Sequence, residues 1–341
     1  MHQLRRVIVA TGAIVALGAT AAGPAWSATA ERIGDTVSYR ASAGEANDVL
    51  VSERFDVRVT IHDAGARIRA GQGCAALADG GVVCGTELQD APARIEIRLG
   101  DRNDRGSAEV SGSFDQEVVV TGGAGSDTLH SGSHYGNTHV LSGDGGDDHL
   151  TAMTNLGGDA TFVGGPGDDV LENLEGGSGS FYGGPGDDAV QTGIHGKVPI
   201  IDGGPGADSY SVGREFNVAA VAGVIRPGPG TDTLSAERAG AFTLDLAACG
   251  GCVENVIGSP DDDTILGSRA PNVLLGGEGN DVLDPRGGRD SVSGQEGDDQ
   301  VELRDSRRDA ASCGDGLDQV SADAHPAEAV AADCEEVAWG D

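Results

Sequence analysis

A nine-residue phrase recurs along this chain, and its period limits the fold more than any other feature. Gly122-Gly-Ala-Gly-Ser-Asp127-Thr-Leu129-His130 is the first full copy, and others open at Gly164, Gly183 and Gly276. The shared pattern is Gly-Gly-x-Gly-x-Asp-x-apolar-x. Glycines at its second and fourth positions (Gly123 and Gly125, Gly165 and Gly167, Gly184 and Gly186, Gly204 and Gly206, Gly277 and Gly279) reach backbone angles closed to other residues. Carbonyl oxygens can then crowd toward one point. The sixth-position Asp adds a carboxylate, and oxygen donors of this kind suit a hard divalent cation such as calcium. The apolar eighth residue faces a narrow core. A short turn followed by a short strand, repeated, predicts an all-β chain: a parallel β-roll or β-helix solenoid whose coils rest on their neighbours.

Composition agrees with a thin core. Glycine supplies 57 of 341 residues and aromatics only 4%. The chain holds 55 acidic against 22 basic residues, a net charge of −33. Nucleic acid and anionic membrane surfaces are therefore poor partners. Such a charge also suits a disordered chain, but disorder does not fit the ordered spacing of Asp and Gly. Carboxylates at every turn would repel one another, so several calcium ions are the expected counter-ions.

The first residues read as an export leader. Arg5 and Arg6 precede a small apolar run over 7–22, and Ala25-Trp-Ser27 or Ala28-Thr-Ala30 offers a small-x-small cleavage site. Residues 1–30 are assigned to it, and a secreted, extracellular product is expected. No later run is apolar for long enough to cross a bilayer, so no membrane insertion is expected. Six cysteines in an exported chain suggest three bridges. Proximity suggests Cys74 with Cys84, Cys249 with Cys252 and Cys313 with Cys334. Cys249-Gly-Gly-Cys252 has the spacing of a redox motif, but its flanks read as strands, so a static bridge is expected.

Residues 31–93 lack clear repeats, and alternation in segments such as 57–61 and 66–69 predicts a small β region that caps the solenoid. Residues 94–234 form a first array. Its good turns open at 122, 143, 164, 183 and 203, with a weaker one at 227. Residues 235–257 join it to a second array of contiguous nonapeptides over 258–321. There the better copies open at 276, 294 and 313, with 258 weaker, and they alternate with decayed ones at 267, 285 and 304. Residues 322–341 are expected to form a second cap, tied back by Cys334. Both arrays are expected to place their good turns on one edge, with an ion between each neighbouring pair.

Over about residues 99 to 321, these motifs resemble the RTX, or haemolysin-type, calcium-binding repeat family. The leader, the short β region and Cys313-Gly-Asp-Gly-Leu-Asp318 followed by Cys334 resemble exported calcium-binding proteins of high-GC Gram-positive bacteria. The resemblance implies a parallel β-roll with calcium between successive turns of one side. Its ligands would be turn carbonyls and the carboxylates of Asp127, Asp148, Asp169, Asp188, Asp208, Asp232, Asp263, Asp281, Asp299 and Asp318. Asp144, Pro227 and Ser259 replace glycines of the pattern, and Asp261 stands at a fourth position. The family's toxins carry a long hydrophobic region and acylated lysines; here that region is absent and Lys197 is the only lysine.

No His-Glu-x-x-His or Gly-x-Ser-x-Gly motif occurs. The best cluster for acid–base or zinc chemistry is His130, His134, Tyr135, His139 and His149, with Asp147. Its uneven spacing reads better as exposed loop and strand residues. Two function classes follow. One is a calcium-binding structural or interaction module, without catalysis, whose partners are cell-surface or matrix components. The other is a solenoid enzyme acting on extracellular polysaccharide. Basic residues, needed to hold a polyanion, read as scarce and spread out, which favours the module.

Overall fold

The computed structural model describes residues 28–53, 58–85, 91–110, 115–133, 136–154, 158–174, 178–192, 200–214, 224–250, 252–323 and 328–340. Most of residues 1–30, read above as a leader, fall outside them, as do His134 and Tyr135. The described chain is all β, and almost all of its strand pairing is parallel.

Each coil of the first array runs from a strand of one sheet, through the Gly/Asp turn, into a strand of a second sheet. Thr138–Gly145 leads to His149–Thr154, and Asp159–Val163 leads to Val170–Asn173. The next strand then lies again in the first sheet. Successive coils stack in register, so the eighth-position residues lie directly over one another. Leu129, Leu150, Leu171, Val190, Tyr210 and Leu234 form one buried column. The column continues through Val256, Leu274, Val292 and Ala311. Across the thin interior, Phe162 stacks on Phe181 with ring centroids 4.8 Å apart. Small aliphatics suffice because each coil buries its apolar residues mainly on the coils above and below.

The N-terminal cap is narrower than expected. Thr36–Arg40 already pairs in parallel with Arg94–Asp101, and Asp48–Glu53 with Arg105–Val110. Residues 36–53 are thus a first coil. Capping falls to their antiparallel partners, Ala28–Ile33 in one sheet and Val59–Asp63 in the other. The C-terminal segment is also a coil: Ala329–Val330 and Glu336–Gly340 extend two sheets in parallel register.

The single-edge expectation is overturned. In the first array, Gly/Asp turns lead from the first sheet into the second. The second sheet, of 16 strands, runs through both arrays. In the second array, residues 276–281 lead out of it, from Val273–Glu278 to Val282–Asp284 of a six-stranded third sheet. The good turns have therefore changed sides. The cause is the junction. There a loop ending at Glu254 supplies the turn into the second sheet, and the next nonapeptide, from Gly258, falls half a coil later. The decayed turns at 267, 285 and 304 continue the first array's edge.

Three disulfides pair Cys74 with Cys84, Cys249 with Cys252 and Cys313 with Cys334. The first and last hold the two ends, and the second closes the loop at the junction. Replacing Cys313 and Cys334 by Ser opens a loop with a sequence separation of 21. It is expected to cost about 3 kcal/mol on a chain-entropy account. Chemical denaturation in saturating calcium checks this; an unchanged midpoint refutes it.

Candidate metal centre

The sixth-position aspartates form a ladder along each edge. The amide of Asp127 donates to Oδ1 of Asp148 (2.7 Å), Asp148 to Asp169 (2.8 Å), Asp169 to Asp188 (2.9 Å), Asp188 to Asp208 (2.9 Å) and Asp208 to Asp232 (2.9 Å). On the opposite edge Asp263 donates to Asp281, Asp281 to Asp299 and Asp299 to Asp318, over 2.8–2.9 Å. Every expected carboxylate is buried, at 2% exposure or less. Each thus spends Oδ1 on the preceding structure's backbone. In Asp127, Asp148, Asp169, Asp188, Asp281, Asp299 and Asp318, Oδ2 is buried with no hydrogen-bond partner. A buried carboxylate oxygen without a partner is costly unless a cation satisfies it.

Glycine makes room for that oxygen. A Cβ on Gly164 would overlap Asp169 Oδ2 and sit 2.6 Å from the Gly183 carbonyl oxygen. A Cβ on Gly167, at φ 145°, would overlap the Gly146 carbonyl of the preceding coil. Carboxylate and carbonyl oxygens of adjoining coils thus fill the space that side chains would take. This donor set fits calcium, which accepts six to eight oxygens in a flexible geometry. The bound ion would supply the positive charge that the buried carboxylates lack. Asp144 and Gln295, at second positions, keep the left-handed turn with φ of 74° and 84°.

Three of the expected ligands, Asp208, Asp232 and Asp263, fall outside the set with an unpartnered Oδ2. Asp263 accepts from the Ser259 amide at Oδ2 (2.6 Å) and from Ser259 Oγ at Oδ1 (3.1 Å). The Ser that replaces glycine thus satisfies this turn internally. Asp208 Oδ2 accepts from the Tyr210 hydroxyl at 3.3 Å.

A second, outer ladder was missed in the sequence. Fifth-position side chains accept from the following coil: Asp168 N–H donates to Asp147 Oδ1, Asp187 to Asp168 and Ala207 to Asp187, over 2.7–3.0 Å. Asp262, Asn280 and Asp298 do the same on the other edge. The two ladders run in opposite directions, so neighbouring turns are laced both ways. The recurrence of Asp or Asn at position five was the signal available.

Burial, reinforced by neighbouring carboxylates and offset by the ladder amides, raises these acids. Asp127, Asp188 and Asp281 are pushed up to about 7, and Asp148, Asp169, Asp232 and Asp299 to about 6. An unfolded Asp titrates near ~4. The metal-free folded chain therefore holds the extra protons between those values. Its advantage is full below about pH 4 and is lost as pH rises through 6 to 7. In chelator, β-sheet circular dichroism is expected to grow on acidification from about pH 8 to 5. A flat or falling signal would count against it.

Among the described residues, His130, His139 and His149 each have their own partners. His130 Nε2 lies 3.1 Å from Glu109, and His149 Nε2 lies 3.0 Å from Glu172. His139, expected on the surface, is buried in the core column between Val118 and Ala160. Its ring nitrogens meet Ser131 Oγ (2.6 Å) and Ser133 Oγ (3.0 Å), and burial pulls it down to about 4. The basic residues are less dispersed than expected: Arg269, Arg289 and Arg307 line one cleft with Asp305.

A family profile described as the RTX calcium-binding nonapeptide repeat, in four copies, matches residues 118–133, 257–292 and 286–304. A search of curated proteins gave no match. Repeats of this family bind calcium, and the matched segments contain Asp127 in the first array and Asp263, Asp281 and Asp299 in the second. With its parallel coils, glycine turns and buried aspartate ladders, the chain is an RTX, or haemolysin-type, calcium-binding repeat protein.

Proposed function

We propose that this chain is an exported β-roll that folds around several calcium ions and acts as a structural or interaction module, without catalysis of its own. The observation that carries the reading is the series of buried aspartate Oδ2 atoms without partners, spread over both arrays. Seven such oxygens along two edges call for several ions. Cell-surface or matrix components are the partners that suit an extracellular module.

Export rests on the leader-like residues and on three disulfides, which suit an oxidising compartment. Ala28 and Ala30 are buried in a strand, so cleavage after Ser27 is the choice that leaves this strand whole. The lack of catalysis rests on the described histidines of the cluster, His130, His139 and His149, each of which is engaged by its own partners.

Equilibrium dialysis of the purified chain against calcium tests the reading, with several ions per chain as the expected result. Failure to bind any would refute it. Export has its own test: fractionation of the producing cells, with a mature chain starting at Ala28. Intact chain held in the cytosol would remove that part alone.

A further inference from the structure

We propose that the decayed edge of the second array holds one additional divalent-cation site, built from the carboxylates of Asp290, Asp305 and Asp309. These turns, at 285–290 and 304–309, lack the Gly-Gly-x-Gly framework, and neither was expected to hold an ion. Asp305 stands where the pattern has a glycine. The profile match stops at residue 304, just short of it.

The three carboxylates each offer an oxygen, and these oxygens lie within 4.8 Å of one another. Asp290 is 4% exposed and Asp309 1%. Their Oδ1 atoms are occupied, by the Asn272 amide and the Asp290 amide respectively, both at 2.8 Å. Their Oδ2 atoms are buried without a partner, as is Oδ2 of Asp305. Asp305 uses Oδ1 to accept from the Arg307 amide at 2.7 Å. Its Oδ2 reaches back over the preceding turn, where a Cβ on Gly287 would lie 3.6 Å away. Glu328 adjoins the group: Oε2 accepts from the Asp309 amide at 3.0 Å, and Oε1 is buried and free.

Among the described residues, no cationic side chain is ion-paired with these three carboxylates. Arg289 and Arg308 line a cleft with Asp290 and Asp309, and both are exposed. Three carboxylate oxygens on a half-buried turn are ligands for a hard divalent cation of the calcium or magnesium class. The arginines repel that cation, which makes this site weaker than those of the glycine turns.

The proposal differs from the glycine-turn reading in its residues and in its test. Asp305→Asn keeps the acceptor for the Arg307 amide and leaves both ladders intact. In equilibrium dialysis with calcium alone, it is expected to bind one ion fewer than wild type, with circular dichroism unchanged. Removing the repulsion in Arg289→Gln/Arg308→Gln is expected to tighten the last-filling ion several-fold. A wild-type ion count in Asp305→Asn overturns this site while leaving the glycine turns standing. A wild type that binds no calcium overturns both readings.

Discussion

Removing calcium from the purified chain will abolish most of its β-sheet signal, and adding it back will restore the signal cooperatively. Seven aspartate oxygens of the good turns are buried without partners, and their neighbours in the ladder are carboxylates. Without a cation, each coil must bury an unsatisfied anion or protonate it, and near neutral pH either choice opposes folding. The core cannot offset this. It is one or two residues deep per strand and built mainly from Val, Leu, Ile and Ala. Ordering the backbone costs about 1–2 kcal/mol per residue, so small deficits repeated over many coils decide the outcome. Binding free energy then becomes folding free energy. Extracellular sites of this type fill at about 0.1–1 mM calcium, and the midpoint is expected there. The antiparallel N-terminal strands, braced by Cys74–Cys84, lie outside the ladders and should keep residual signal. Circular dichroism unchanged by chelator would refute the account.

The second large effect is expected at a single aspartate. Asp169 accepts from the Asp148 amide and donates its own to Asp188. An ion between each neighbouring pair of turns would draw on Asp169 from both sides. Asp169→Ala should therefore remove two calcium ions and leave the Asp148 amide unsatisfied, costing about 1–3 kcal/mol in addition. Asn272→Ala, in a turn whose Oδ1 already accepts from the Ser268 amide, should remove none. Metal counting on the two variants decides it. An unchanged count in Asp169→Ala, or an equal loss in Asn272→Ala, would rule out shared ions.

The repeat period made the coil legible, because glycine and aspartate positions report backbone geometry directly. Every sixth-position Asp named from the pattern is buried on a ladder. What the pattern hid is where half-coils fall. Both arrays read as good turns about one coil apart, yet Glu254 and the bridged loop before it shift the phase by half a coil. No residue type announces such a shift; only strand pairing does. His139 was misplaced for a related reason. A histidine between Asn137 and Val140 reads as surface, but parallel stacking puts it in a column with Val118, where two buried serines satisfy its ring. The carboxylates at 290, 305 and 309 escaped notice because a search for glycine turns discards turns rich in arginine.

The half-coil nonapeptide imposes a parity rule on this solenoid. Gain or loss of two consecutive nonapeptides in the second array returns every aspartate to its own ladder, since residue 281 stands 18 residues before residue 299 and pairs with it. A change of one nonapeptide instead carries all downstream good turns to the opposite flank, facing decayed turns with arginine at their tips. The molecule can therefore lengthen or shorten along its axis in even steps at little cost. An odd step is tolerated only where an irregular segment absorbs it, as residues 235–257 do.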